Sequence, residues 1–193
     1  MYEFINDRIK EHRDITAKMF GDGELLNSIS DLCGLTVETY KNGKKILLCG
    51  NGGSAADAQH IACELVARFK RDRPPLCAMA LTVNTSSITA IGNDYEFTKI
   101  FSRQVEAFGK KGDLLIGIST SGNSPNVIQA MEKAKEMGMS VAGFTGVNRD
   151  AEILKHAQIS IRIPSANTPR IQEAHILIGH IVCEYIENEL FPK

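Results

Sequence analysis

Five short apolar runs recur along this chain: KILLC at 45–49, CAMALT at 77–82, DLLIGI at 113–118, SVAGFT at 140–145 and ISIRI at 159–163. Runs of this length that are apolar throughout, rather than alternating, suit strands buried on both faces. The patterns between them predict helices at about 54–69, 86–92, 97–108, 125–137 and 151–156, and a long last helix from about 169 to 190. Strands separated by helices pair in parallel, because each crossover returns the chain to the same end of the sheet. The expectation is an α/β fold, a mostly parallel five-stranded sheet flanked by helices in a flavodoxin-like or Rossmann-like three-layer arrangement. Two extra helices precede it. Phe4, Ile5, Ile9, Ile15 and Met19 give residues 3–20 a broken helical period. After Gly21-Asp22-Gly23, a stripe of Leu25, Leu26, Ile29, Leu32, Cys33 and Tyr40 runs to a stop at Asn42-Gly43. This extension, residues 1–42, lies outside the alternating core and is expected to pack against another subunit.

With 193 residues and no repeat, low-complexity tract or linker, the chain reads as one domain over 1–193. Lys and Arg total 22 and Asp and Glu 23, a balance that offers no basic footprint for nucleic acid. The start, MYEFINDRIKEHRD, lacks the apolar core of a signal peptide, and no stretch approaches a membrane span, so a cytoplasmic protein is expected. Cys49, Cys63 and Cys183 sit in apolar surroundings and read as buried thiols. No CxxC pair is present, which argues against a cysteine zinc site.

In an open α/β sheet, ligands lie beyond the carboxyl ends of the strands. Two strand-to-helix junctions carry chemistry there. LIGISTSGNSPN at 115–126 offers the hydroxyls of Ser119, Thr120, Ser121 and Ser124, with Gly122 to let the backbone close round an anion. Ser124 suits an N-cap and Pro125 the first helical position, so the helix beyond would aim its free N–H groups at a phosphate. No GK[ST] follows, which excludes a triphosphate P-loop, and the absence of Lys or Arg favours a small mobile phosphate monoester. Ser and Gly also populate ordinary turns, so the loop gains force only in company.

The second junction, GNGGSAADAQH at 50–60, has Ser54 as its candidate N-cap. It gives only a relaxed form of the dinucleotide fingerprint, and CAMALTVNT at 77–85 supplies no acidic residue for a ribose. Gly92-Asn93-Asp94 reads as a third turn, before the 97–108 helix. On the helix after the second junction, Asp57, His60 and Glu64 share a face, continued by Arg68, beside an apolar stripe of Ile61, Leu65 and Phe69. A histidine and a carboxylate four apart can share a proton or grip a metal; they can equally form a solvated pair. The last helix carries Gln172, Glu173, His175 and His180, with Thr168 as N-cap and Pro169 as first helical residue. A histidine in so apolar a stretch also fits a core position. A phosphate anchor, a glutamate base and a histidine acid together meet the needs of aldose–ketose interconversion of a sugar phosphate.

GNGGSAADAQH (50–60) and GISTSGNSPNVIQA (117–130) resemble the sugar isomerase (SIS) domain. With GNDYEF (92–97), FSRQVEAFGKKGDLLIGIS (101–119) and RIQEAHILIGHIV (170–182), nearly the whole chain is similar to the phosphoheptose isomerases. These bacterial enzymes convert sedoheptulose 7-phosphate to D-glycero-D-manno-heptose 7-phosphate, towards the heptoses of lipopolysaccharide core and other surface polysaccharides. The resemblance implies Glu64 as catalytic base and His180 as acid, with phosphate contacts at Ser119, Thr120, Ser121 and Ser124. It implies further substrate contacts at Asn51, Gly52, Gly53, Ser54, Asn93, Asp94, Gln172 and Glu64 itself. It also implies one zinc per subunit on His60, Glu64, Gln172 and His180, and a homotetramer with sites between chains. Pro169 stands where some members of that family carry an acidic residue.

Two other functions follow from the same resemblance. Some SIS-fold proteins bind the bacterial replication initiator instead of catalysing, and ENELFPK at 187–193 is similar to that group, although those relatives lack the base and acid found here. Isomerisation of a pentose or hexose phosphate is the other alternative.

Overall fold

The computed structural model describes residues 1–192. Five strands, β1 (Ile46–Gly50), β2 (Ala78–Ala80), β3 (Leu114–Ile118), β4 (Ser140–Thr145) and β5 (Ile159–Arg162), form one sheet in the order β2-β1-β3-β4-β5. Every neighbouring pair is parallel, with Ile46 opposite both Ala78 and Leu114, and Leu114 opposite Ser140. The helices are α1 (Tyr2–Phe20), α2 (Gly23–Lys41), α3 (Gly53–Val66), α4 (Thr85–Asp94), α5 (Ser102–Phe108), α6 (Pro125–Glu136), α7 (Ile153–His156) and α8 (Thr168–Leu190).

The period-two alternation of strand side chains divides the apolar runs between two cores. Ile46, Leu48, Leu114, Ile116, Ile118 and Phe144 face α2, α3 and α8, where they meet Leu32, Ile61, Leu65, Ile178 and Ile186. Leu47, Cys49, Leu115 and Val141 face the other way, onto Val105, Val127, Met131 and Ile153 of α5, α6 and α7. The three central strands β1, β3 and β4 are buried on both faces, which is why they read as apolar runs, while the edge strands β2 and β5 are only partly covered. The α/β three-layer expectation therefore holds, with the sheet wholly parallel.

Strand order reverses between β1 and β3, so the chain leaves these neighbouring strands on opposite sides of the sheet and opens a crevice at their carboxyl ends. Both chemistry-rich junctions, 50–54 and 119–124, border that crevice.

Several local expectations are corrected. The 97–108 helix is a 3-10 turn at Phe97–Lys99 followed by α5, because Ile100 and Phe101 turn inward at the break, each 2% exposed. Asn93 and Asp94 close α4 and do not sit in a turn, since Gly92 is carried inside that helix. Arg68 lies past the end of α3, which stops at Val66. Gly52, not Ser54, caps α3, leaving Ser54 3% exposed inside the helix. Asn167, not Thr168, caps α8, so Pro169 is its second residue. Cys63 is exposed while Cys49 and Cys183 are buried. On α1 only Ile15 and Met19 are buried; Phe4, Ile5 and Ile9 remain exposed.

Candidate active site

The serine loop is built by backbone before its side chains act. Ser119 continues β3 with its N–H on the Phe144 carbonyl (3.0 Å), and Gly122 turns back to donate to the Ser119 carbonyl (2.9 Å). That turn needs Gly122: its φ is +70, and a Cβ there would lie 2.5 Å from the Ala151 Cβ. The result gathers three hydroxyls. Ser119 Oγ lies 2.9 Å from Ser124 Oγ and 3.4 Å from Ser121 Oγ. Ser124 holds the N-cap position of α6 but makes no side-chain cap bond, because its hydroxyl turns to Ser119 instead. Pro125 occupies the start of α6, and the loop meets the helix at its positive end. Apart from the Asn123 N–H that Ser121 Oγ accepts (3.2 Å), these hydroxyls bond one another, and they can turn as donors to phosphate oxygens. Thr120 anchors the turn through its carbonyl, which accepts from Gly146 N–H at 3.1 Å.

Asn126, in the first turn of α6, was not singled out by sequence reasoning. It is 2% exposed, and its amide pairs in both directions with that of Asn51 in the loop after β1. An asparagine between Pro125 and the buried Val127 was the available signal: a polar residue on an inward-facing first turn must find a partner.

Helices α3 and α8 lie side by side in the same sense. Gly53 stands opposite Gln172, Ile61 packs against Gly179, and His60 and Glu64 reach His180. At Gly53 a Cβ would fall 2.7 Å from Gln172 Cδ, so a larger residue there would push that amide from its place over the start of α3. Farther along, His60 Nε2 lies 3.0 Å from Glu64 Oε1 and 2.9 Å from His180 Nε2. Phe69 stacks on the His180 ring at 5.6 Å between centroids, fixing its plane. The ligand atoms of His60, Glu64 and His180 all fall within 4.8 Å of one another. Two imidazole nitrogens and one carboxylate oxygen form a donor set that suits zinc. Gln172, eight residues and about 12 Å before His180 on α8, lies against Gly53 at the start of α3.

Asp57, one turn before His60, keeps Oδ2 buried without a partner among the described residues. Burial pushes its carboxyl up to about 6, against the opposing pull of His60. His175 is the core histidine of α8: it is fully buried, its Nε2 is 3.2 Å from the Thr145 carbonyl, and burial lowers its pKa to about 4. Glu173 turns away from the cluster to His12 (2.7 Å) and Arg170 (2.6 Å), tying α8 to α1. Asn93 and Asp94 are exposed at the end of α4 and bond each other (2.8 Å), not the serine loop.

The SIS domain family matches residues 13–146. The chain is 53% identical over 193 residues to the phosphoheptose isomerase of Clostridium acetobutylicum, covering 100% of this chain and 98% of that one. It is 50% identical over 190 residues to the phosphoheptose isomerase of Burkholderia pseudomallei strain 1710b, covering 98% and 96%. Among solved structures, the phosphoheptose isomerase of Neisseria gonorrhoeae superposes with a TM-score of 0.90 at 40% identity, covering 97% and 98%. With a SIS domain match over most of the chain and likeness to these enzymes along its whole length, this protein belongs to the SIS-domain family, among its phosphoheptose isomerases.

Proposed function

We propose that the protein isomerises D-sedoheptulose 7-phosphate to D-glycero-D-manno-heptose 7-phosphate through an enediolate, an early step towards the heptoses of surface polysaccharide. The observation that carries this reading is the meeting of Glu64 and His180 around His60, on the facing sides of α3 and α8. Ser119, Thr120, Ser121 and Ser124 hold the phosphate with the N-terminus of α6, and the loop 51–54 and Gln172 line the sugar's path. Anchoring the unreactive end converts phosphate binding into orientation at C1 and C2.

With the ring open, Glu64 takes the C1 proton while His180 delivers a proton to the C2 oxygen, giving an enediol. The C1 hydroxyl then returns its proton to His180 as Glu64 delivers one to C2, which closes the proton count. Asn93 and Asp94 are assigned to the sugar by family likeness. His60, Glu64, His180 and Gln172 would hold one zinc per subunit, and a bound zinc would supply Lewis acidity towards the sugar oxygens. We assign residues 1–193 to one cytoplasmic domain. We assign the extension 1–42 to the interface of a homotetramer by family likeness, a reading supported by the exposure of Tyr2, Phe4, Ile5 and Ile9 along α1.

The test is incubation with sedoheptulose 7-phosphate in deuterated water, followed by NMR. Aldoheptose 7-phosphate carrying deuterium at C2 is the expected product. Product without deuterium would keep the substrate but point to a shielded proton or a hydride shift. No product beside an active control isomerase would sink the substrate assignment.

A further inference from the structure

Glu64 sits in the last turn of α3, where backbone carbonyls lack helical partners. The chain then leaves the helix and sends Arg73 back into the protein, with 2% of its side chain exposed. The guanidinium uses all three nitrogens. Nη2 donates to the Glu64 carbonyl (2.8 Å), Nη1 to the Leu65 carbonyl (2.6 Å), and Nε to Glu187 Oε1 (3.0 Å). Glu187 is equally buried, and its second oxygen accepts from Lys70 N–H at 3.0 Å. Glu187 lies on α8, seven residues beyond His180, or about 10 Å along the helix.

A cation at the carbonyl end of a helix is favoured by the helix dipole. Yet a buried ion pair adds little net stability over apolar residues of the same size, because desolvation cancels most of the attraction. Its planar fork does what an apolar pair does not: it fixes direction and register at once. Here the fork joins the backbone of Glu64 to the helix that carries His180. We propose that Arg73 and Glu187 are positioning residues for the reaction, holding the Glu64 end of α3 against α8 and so setting the Glu64–His180 geometry.

This role rests on the assignment of Glu64 and His180 as the proton-transfer pair, and the test separates the two. Arg73→Met/Glu187→Leu, Arg73→Lys, Glu64→Gln and the parent are assayed for isomerisation of sedoheptulose 7-phosphate, with thermal melting of each. The double variant should keep a cooperative melt while kcat falls about 10- to 100-fold, the scale of a small misplacement of reacting groups. KM should stay within about threefold, since the serine loop lies at the other end of the site. Arg73→Lys keeps the charge without the fork and should recover part of kcat.

A double variant with kcat within about twofold of the parent overturns the proposal. So does a loss of kcat that vanishes well below the melting temperature, which would make the pair purely structural. If the double variant does not melt cooperatively, Arg73→Lys decides: lower kcat at unchanged KM supports the role, and parental kcat removes it. Parental kcat in Glu64→Gln would sink the proton-transfer assignment and this role with it. An inactive Glu64→Gln beside a fully active double variant removes this role alone.

Discussion

The side-chain amides of Asn51 and Asn126 bond each other in both directions, Nδ2 to Oδ1, at 2.9 and 2.8 Å. This reciprocal pair spans the crevice floor, joining the loop after β1 to the first turn of α6. Asn126 reaches no solvent and is positioned to hold the sugar and phosphate ends of the site at a fixed separation. Asn126→Ala leaves Asn51 without that partner, and should raise KM for the sugar phosphate about tenfold with a smaller change in kcat. Steady-state kinetics check this, and unchanged KM would confine the pair to stability.

Ser119→Ala and Ser124→Ala each remove one hydroxyl from the anion loop. Each should weaken binding of substrate and of inorganic phosphate in parallel, by about 10- to 100-fold, the value of one hydrogen bond to a charged acceptor. Competitive inhibition by inorganic phosphate reads the effect without chemistry. Loss of kcat with an unaltered inhibition constant would take these hydroxyls away from the phosphate.

Two glycines should fail differently when replaced by alanine. Gly53→Ala pushes a methyl into the Gln172 amide, so kcat/KM should fall at least about tenfold while the melting temperature changes little. Gly122→Ala forces a left-handed residue and a clash with Ala151, and should cost about 1–3 kcal/mol of stability. Melting and kinetics on both proteins separate the two effects.

Asp57 and His175 predict opposing pH dependences. Burial lifts the Asp57 carboxyl from 3.8 to about 6 and lowers the His175 ring from 6.5 to about 4. Between pH 4 and 6 the folded state holds the Asp57 proton that the unfolded chain has released, so this group's contribution declines as pH rises. His175 is neutral in the folded state over the same interval while the unfolded ring is charged, so its contribution grows as pH rises. The two largely offset each other. Asp57→Asn should therefore raise stability at pH 7 by about 1 kcal/mol, discounted for the solvent that reaches it, and expose a steeper acid loss. His175→Phe should flatten or reverse that acid loss relative to its own stability at pH 7. Denaturant titrations across pH 4–7 measure both slopes, and parallel curves for all three proteins would refute the pairing.

The architecture was legible because the central strands β1, β3 and β4 are buried on both faces. SVAGFT at 140–145 became β4 at its predicted bounds, and the other strands moved by a residue or two, except β2, which kept only Ala78–Ala80. Local apolarity misled where burial depends on partners. Cys63 has apolar neighbours in sequence but points outward from α3, and Phe4, Ile5 and Ile9 in the first half of α1 stand exposed. The His60–Glu64 pair was readable from helical spacing, and the serine loop from composition. What joins them was not: Asn51 meets Asn126 and Arg73 meets Glu187 across long stretches of sequence, and no local period encodes such pairings.

The serine loop offers an anion no formal positive charge; its donors are hydroxyls, backbone amides and the end of α6. Ionic strength acts mainly on charge–charge attraction, so phosphate binding at this proposed loop should be less sensitive to salt than at a lysine or arginine clamp. Neutral donors also judge an anion by the placement of its oxygens more than by its total charge. A phosphate held in this manner arrives without long-range steering and departs without breaking an ion pair, which suits a site whose substrate and product share the same handle.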